Sequence, residues 1–250
     1  MATKTTTHLG PTVRYRHRMV VGARSFVRGQ VEREELRAAA ARCRGARMRE
    51  RLREALDDLD PAEGDVQIVD GDLHVPGDLD LHERHLRLLL VTGRLVVEGA
   101  LTDSDDPASF LIVGGAVTAR DMVTSGWLDV GGDLEVAGSL VGDYDDGEAQ
   151  IAGDVRTFFF YPEEHRFEVS GGFRAEVAVG NQLRLVTARK PRFISLGDPR
   201  IAEVFDHALL RFHDDEDEDG NRIEVVDGLR DFREFKRRIK AGEPLGRADT

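Results

Sequence analysis

Cysteine occurs once in the 250 residues, at Cys43, so no disulfide can form within the chain and no Cys-x-x-Cys metal knuckle can be built. That usage suits a reducing compartment and predicts a cytoplasmic protein. Long apolar runs are missing too: the longest, such as 88–91 and 158–161, fall far short of a bilayer span. No secretory apolar core is read near the N-terminus. Lysine is scarce, 4 against 31 arginines, and with abundant Ala, Gly, Val and Asp this usage points to a GC-rich bacterial genome. Acidic side chains are absent before Glu32. The common catalytic signatures are also lacking: no GxSxG elbow, no phosphate-binding loop, no Rossmann glycine set, no HExxH. The six-residue period of acyltransferase β-helices is missing as well.

What the chain has in abundance is one phrase, an aliphatic residue two before a glycine and another two after it. Its glycines are Gly71, Gly93, Gly115, Gly132, Gly153 and Gly171, so the steps are 22, 22, 17, 21 and 18 residues. These steps are too short for paired-helix repeats and fit one coil of a parallel β-helix. In register, the coils begin at Val69, Val91, Val113, Val130, Ile151 and Val169 and continue at Leu73, Leu95, Val117, Leu134, Val155 and Phe173. The next inward position holds Val75, Val97, Ala119, Val136, Thr157 and Ala175, with mostly polar residues between, which is strand alternation. Gly77, Gly99 and Gly138 mark a second bend, needing positive φ or close backbone approach.

The spacing therefore predicts a mainly β protein, a single-stranded parallel β-helix of about six coils over 65–180 with helical caps at both ends. Parallel crossovers favour the right-handed form. Coils stacked at about 4.8 Å give a rod of roughly 30 Å, with insertions gathered at one corner, where binding loops of repeat proteins collect. Three parts follow: 1–62, a basic strand plus capping helix; 63–197, the β-helix; and 198–250, an acidic helical cap.

Charge marks the first boundary. Residues 1–55 carry 14 Lys/Arg against 5 Asp/Glu, and the remainder 21 against 42. Val13 to Met19 alternates at period two and reads as a strand with Arg14, Arg16 and Arg18 on one face. These arginines could pair with the acidic body of this chain or a second copy, form an arm for an anionic surface, or belong to a transit segment. An acidic body would repel nucleic acid, so nucleic acid is not the expected partner. From Val31 to Leu59 the apolar spacing turns helical, interrupted near Gly45. Beyond the coils, 182–196 offers further strands, and Pro199–Leu210 and Leu229–Ala241 read as helices.

Two groups of carboxylates invite a functional reading. His213 to Asn221 resembles a calcium loop, but the eighth place is Arg222 and the twelfth is Val226, so it reads as a solvated turn between strands. The second group comes from the period itself. Tyr144, Asp145 and Asp146 occupy one corner loop, and Glu163, Glu164 and His165 lie about one coil later; Asp105 and Asp106 occupy the comparable corner below. Two carboxylates about 5 Å apart repel by roughly 3 kcal/mol at an effective dielectric near 20. Such a ridge either splays into water or holds something positive: a cation, an arginine, or a partner's basic surface. One carboxyl could instead keep its proton and act as an acid.

The recurrent Val-x-Gly-Asp-Leu phrase, as at 69–73 and 130–134, resembles the bactofilins and related polymer-forming cytoskeletal proteins of bacteria. The likeness spans about 65–180. It implies a β-helix that joins end to end into filaments without nucleotide, often near the membrane; no cofactor is expected. Bactofilin coils are shorter and more uniform, with disordered tails, whereas capped ends would block such joining. The expected role is a non-catalytic scaffold or interaction protein that contacts a protein partner or copies of itself. The alternative is a module offering its acidic edge to a basic protein, as in toxin neutralisation. A metal-dependent enzyme using Tyr144 to His165 ranks third.

Overall fold

The computed structural model describes residues 23–26, 50, 65–105, 108–143, 146–196, 198, 200–216 and 222–245. Two sheets face each other, their strands parallel except for the first in the chain, which runs antiparallel to its neighbour. The first runs β1 (Ala23–Phe26), β2 (Asp65–Val69), β5 (Leu86–Val91), β7 (Phe110–Val113), β9 (Trp127–Val130), β11 (Glu148–Ile151), β13 (Arg166–Val169) and β15 (Leu185–Val186). The second runs β16 (Phe193–Ile194), β14 (Phe173–Val179), β12 (Val155–Tyr161), β10 (Leu134–Gly142), β8 (Val117–Thr124), β6 (Leu95–Thr102) and β3 (Leu73–Val75), with β4 (Leu79–Asp80) also on β6. Each coil gives one strand to each sheet, so the chain is a β-solenoid of about six turns.

The register is the one the glycine phrase predicts. Val69, Val91, Val113, Val130, Ile151 and Val169 form one column of paired positions. Leu73, Leu95, Val117, Leu134, Val155 and Phe173 form the next. Both columns belong to the central core. Each fully buried aliphatic contributes about 1.5–3 kcal/mol, and none could be buried by a single coil. In the upper coils the interior is plugged by aromatics, with Phe160 4.6 Å from Phe173 and 5.0 Å from Phe167 between ring centres.

The Gly-Asp pairing of the phrase has a specific cause. The carboxylate of each corner Asp accepts a backbone N–H of the following coil: Asp72 from Arg94, Asp78 from Ala100, Asp121 from Ser139, Asp133 from Asp154 and Asp154 from Gly172, all at 2.7–2.8 Å. Each such carboxylate then occupies the place where a Cβ would stand on the stacked residue. A side chain at Gly93, Gly99, Gly138, Gly153 or Gly171 would overlap the oxygen of Asp72, Asp78, Asp121, Asp133 or Asp154 in turn. Of the two reasons a corner can need glycine, close approach applies here. Positive φ applies in the first coil, at Gly71 (96°) and Gly77 (102°).

After the second bend the pairing register shifts, between Val97 and Ala100 in β6 and between Val136 and Leu140 in β10. The second halves of these strands bury both faces. Leu101, Met122, Leu140 and Phe160 point into the central core, while Val123, Val141, Phe159, Tyr161 and Val179 form a separate apolar cluster outside it. That outer cluster is covered by the C-terminal residues: Ile201 of α1 (Ile201–Val204), Leu210 and Val226 of the hairpin β17 (Leu210–Glu216) and β18 (Arg222–Leu229), and Phe235 and Ile239 of α2 (Phe232–Ala241).

Three expectations are thereby refined. The C-terminal elements follow the last coil but fold back along the flank, because the apolar outer cluster needs cover. Pro199–Leu210 is no continuous helix: Asp206 is extended and its side chain accepts the N–H of Ala208, which splits the stretch into α1 and a single 3-10 turn. The solvated-turn reading is shortened: His213 to Glu216 belong to β17 and pair with Arg222 to Val225 of β18, and residues 217–221 lie outside the described residues. At the lower end β1 pairs antiparallel with β2 and covers the edge of the first coil in that sheet. Arg14, Arg16 and Arg18 lie outside the described residues, as does the expected 31–59 helix apart from Glu50, which is helical.

Candidate functional site

The corner after each second-sheet strand brings the polar residues together. Asp103 follows β6, Ser125 follows β8 and Asp143 follows β10; the Asp103 N–H bonds to the Val123 carbonyl of the coil above, the Ser125 N–H to the Asp103 carboxylate, and the Asp143 N–H to the Thr124 carbonyl below. α2 lies across this row. Asp231 caps its N-terminus by accepting the N–H groups of Arg233 and Glu234, and Gly242 closes the other end at φ 67°. Its apolar stripe, Phe232, Phe235 and Ile239, faces the flank, which turns Lys236 and Lys240 to the acidic corner. Lys236 pairs with Asp143. Lys240 pairs with Asp80 at 2.7 Å. Arg120, held by Asp121 at 2.7 Å, donates to the carbonyls of Ile239 (3.4 Å) and Lys240 (3.1 Å) at the helix C-terminus, where a cation is favoured.

Between α2 and the corner remains a cleft of about 450 Å³. Its solenoid wall carries Asp80, Glu83, Asp103 and Asp105; its helix wall carries Arg233, Lys236, Arg237 and Lys240. His82 and Ser104 also line it, the His82 Nδ1 3.3 Å from Ser104 Oγ. Burial opposes the charge of Asp80, but the Lys240 ammonium and the Glu83 N–H outweigh it and hold the carboxyl below its usual range. Arg237 is engaged by Glu234 and Glu243 on its own side, 2.7 Å each.

Asp103 is different. Its Oδ1 accepts the N–H of Gly126 at 2.8 Å and that of Ser125, and its Oδ2 accepts the Thr124 hydroxyl at 2.7 Å, so it staples the corner above. Burial nevertheless pushes its pKa up to about 6 from 3.8, with the charge of Asp143 adding to the rise. A carboxyl raised on folding binds a proton more readily folded than unfolded, so stability rises as pH falls through about 6 towards 3.8. Below that window, carboxylates held low by ion pairs, among them Asp80 and Glu234, lose charge and the trend reverses. Melting at about pH 5.5 is therefore expected about 2–3 °C above that at about pH 7.5, about 0.8 kcal/mol of added stability. In Asp103→Asn the gain should vanish, as measured by calorimetry at both pH values.

The residues singled out from the sequence separate. Asp105 is exposed at the mouth of the cleft, its backbone bridged to Ala108. Asp146 is exposed, Glu163 half-buried, and Glu164 pairs with Arg184. Asp106, Tyr144 and Asp145 lie outside the described residues. His165 is a correction: it is 0% exposed, its ring 5.2 Å from that of Phe167, and it leaves the ridge for the interior. The cause is a tight turn in which His165 N–H bonds to Pro162 O and Glu163 takes φ 44°, reversing the side-chain direction.

The positive group that the carboxylates call for is α2, which sequence reasoning placed elsewhere. The available signal was lysine itself, since two of only four in the chain, Lys236 and Lys240, lie one helical turn apart. Among the described residues no group of three or more His, Cys, Asp or Glu side chains is arranged to hold a metal ion. No described helix is long and apolar enough to cross a membrane. Comparison with protein families, with curated proteins and with solved structures yields no match to the chain.

Proposed function

We propose that this chain is a non-catalytic β-solenoid scaffold of the bacterial cytoplasm that works by contact, including contact with copies of itself. The observation that carries this reading is the contrast between its last coil and its body. β15 and β16 are the outermost strands of their sheets, two residues each. Beside them Leu183 is 75% exposed and Val186 39%. Residues 165–200 carry 7 Lys/Arg against 3 Asp/Glu, whereas 65–164 carry 5 against 21. A basic, partly apolar end and an acidic body are complementary between copies, and such a heterologous contact propagates. The likeness to polymer-forming β-helices points the same way. Sheet continuation through β2 is not the route, because β1 already occupies that edge.

Light scattering during size-exclusion chromatography tests this. The mean mass should rise with protein concentration and fall with added salt, and Leu183→Glu should leave only monomer at unchanged melting temperature. A single mass at every concentration would overturn self-association.

A second reading, a module that receives a basic protein, is favoured by a different observation. Asp80 and Asp143 already hold lysines of a helix, while Glu83 and Asp105 beside them are exposed.

A further inference from the structure

The flank beneath α2 has the anatomy of a peptide receptor. Its floor is apolar, Val123, Val141, Phe159 and Tyr161, and carboxylates stand at its rim, the side chains of Asp80 and Asp143 only 13% and 17% exposed. α2 meets it as helices meet grooves, through Phe232, Phe235 and Ile239 at the first, fourth and eighth positions. The Phe235 ring lies 6.2 Å from that of Phe159 and 6.0 Å from that of Tyr161, and Phe235 is 0% exposed. Lys236 and Lys240, each one residue past an apolar anchor, reach the rim.

The fit is incomplete on one side. The 450 Å³ cleft lies between α2 and the corner, and Glu83 and Asp105 line it outside the ion pairs that α2 makes. A helix with the same anchors but longer or more numerous cations would satisfy the same rim and also fill this space. Resting on the second reading above, we infer that the flank is a receptor groove for basic amphipathic helices of partner proteins, and that α2 is its resident ligand, holding it shut in cis. The spacing of α2 gives the code such a partner carries: aromatic, aromatic three on, aliphatic four further, with a lysine or arginine after the second and third anchors.

The resident helix competes at the high local concentration of a tethered segment, so a free helix binds weakly until α2 is loosened. Full-length Lys236→Glu/Lys240→Glu places glutamates against Asp143 and Asp80 and opens the groove. The probe is a fluorescent peptide with the sequence of residues 230–245, and fluorescence anisotropy reads its binding. The opened chain should bind it at least tenfold more tightly than the unmodified chain, and a peptide with glutamate in place of its two lysines should not bind. Emission from Trp127, the single tryptophan, buried in the third coil, reports that the solenoid is intact in the variant.

Equal binding to both chains, equal binding of both peptides, or no binding to an intact opened chain overturns the inference. A polylysine arm separates it from the reading beneath. Polylysine captured by the unmodified chain with no peptide bound by the opened one leaves the acidic edge as a general cation surface and removes the helix groove; neither bound removes both. Should the variant fail to fold, hydrogen exchange on the unmodified chain decides. Amides of α2 should exchange well before those of β8 and β10, faster still in added salt, and exchange of all three together overturns the proposal.

Discussion

Replacing Gly131 by alanine is expected to lower the stability of the solenoid by about 3 kcal/mol, whereas the same change at Gly172 shifts it by no more than about 0.5 kcal/mol. Both glycines sit at the corner that joins the two sheets, and neither has positive φ. The difference is what lies in the coil beneath. A Cβ at 131 would overlap the carbonyl oxygen of Gly114 and stand 2.7 Å from its carbon, and backbone in a stacked coil cannot rotate aside. A Cβ at 172 would meet Asp154 Oδ1 at 3.5 Å, an ordinary van der Waals distance. Thermal unfolding checks the pair. For a chain of this size the first change lowers Tm by roughly 6–12 °C and the second by no more than about 2 °C. Similar losses at the two sites would mean that corner glycines serve backbone conformation, and that coil stacking does not select them.

The same geometry explains what could be read from the residues. A glycine phrase with aliphatics two positions to either side carries period two and a coil length together, so Val69, Val91 and Val113 could be placed in one column before any contact was known. The flank was illegible for a related reason. At 101–102, 122–123, 140–141 and 159–161 the strand ends are buried on both faces, and a run of apolar residues does not say which face meets the interior and which a second layer. Amphipathy likewise identified α2 as a helix without naming the surface that it covers. His165 shows the limit at a corner: the coil period brings 163–165 near the loop below, but one turn with Glu163 at φ 44° decides which side chains face water. The carboxylates were visible as a concentration of charge. That Asp103 and the Gly-Asp aspartates serve as acceptors for amides of the next coil depends on stacking distance, which no spacing encodes.

A double-mutant cycle at Asp121 and Gly138 tests that acceptor role and its cost together. Asp121→Ala leaves the buried N–H of Ser139 without its carboxylate, a loss of about 2 kcal/mol. Gly138→Ala drives a methyl group into Asp121 Oδ1, and displacing a carboxylate that also holds Arg120 costs about 2 kcal/mol. Apart from Asp121 itself, the nearest atom to the new Cβ is Arg120 O at 3.1 Å, a gap that shifts of a few tenths of an ångström relieve. With the carboxylate already gone, the added methyl should therefore cost little. The double variant is expected near 2 kcal/mol below the parent, short of the sum by about 2 kcal/mol, measured as urea midpoints at constant m-value. Additive losses would mean that the glycine answers to something other than the aspartate below it. Coupling of the predicted sign identifies the unit of the repeat as an aspartate in one coil and a glycine in the next, so a change at either position in any coil is read through its neighbour.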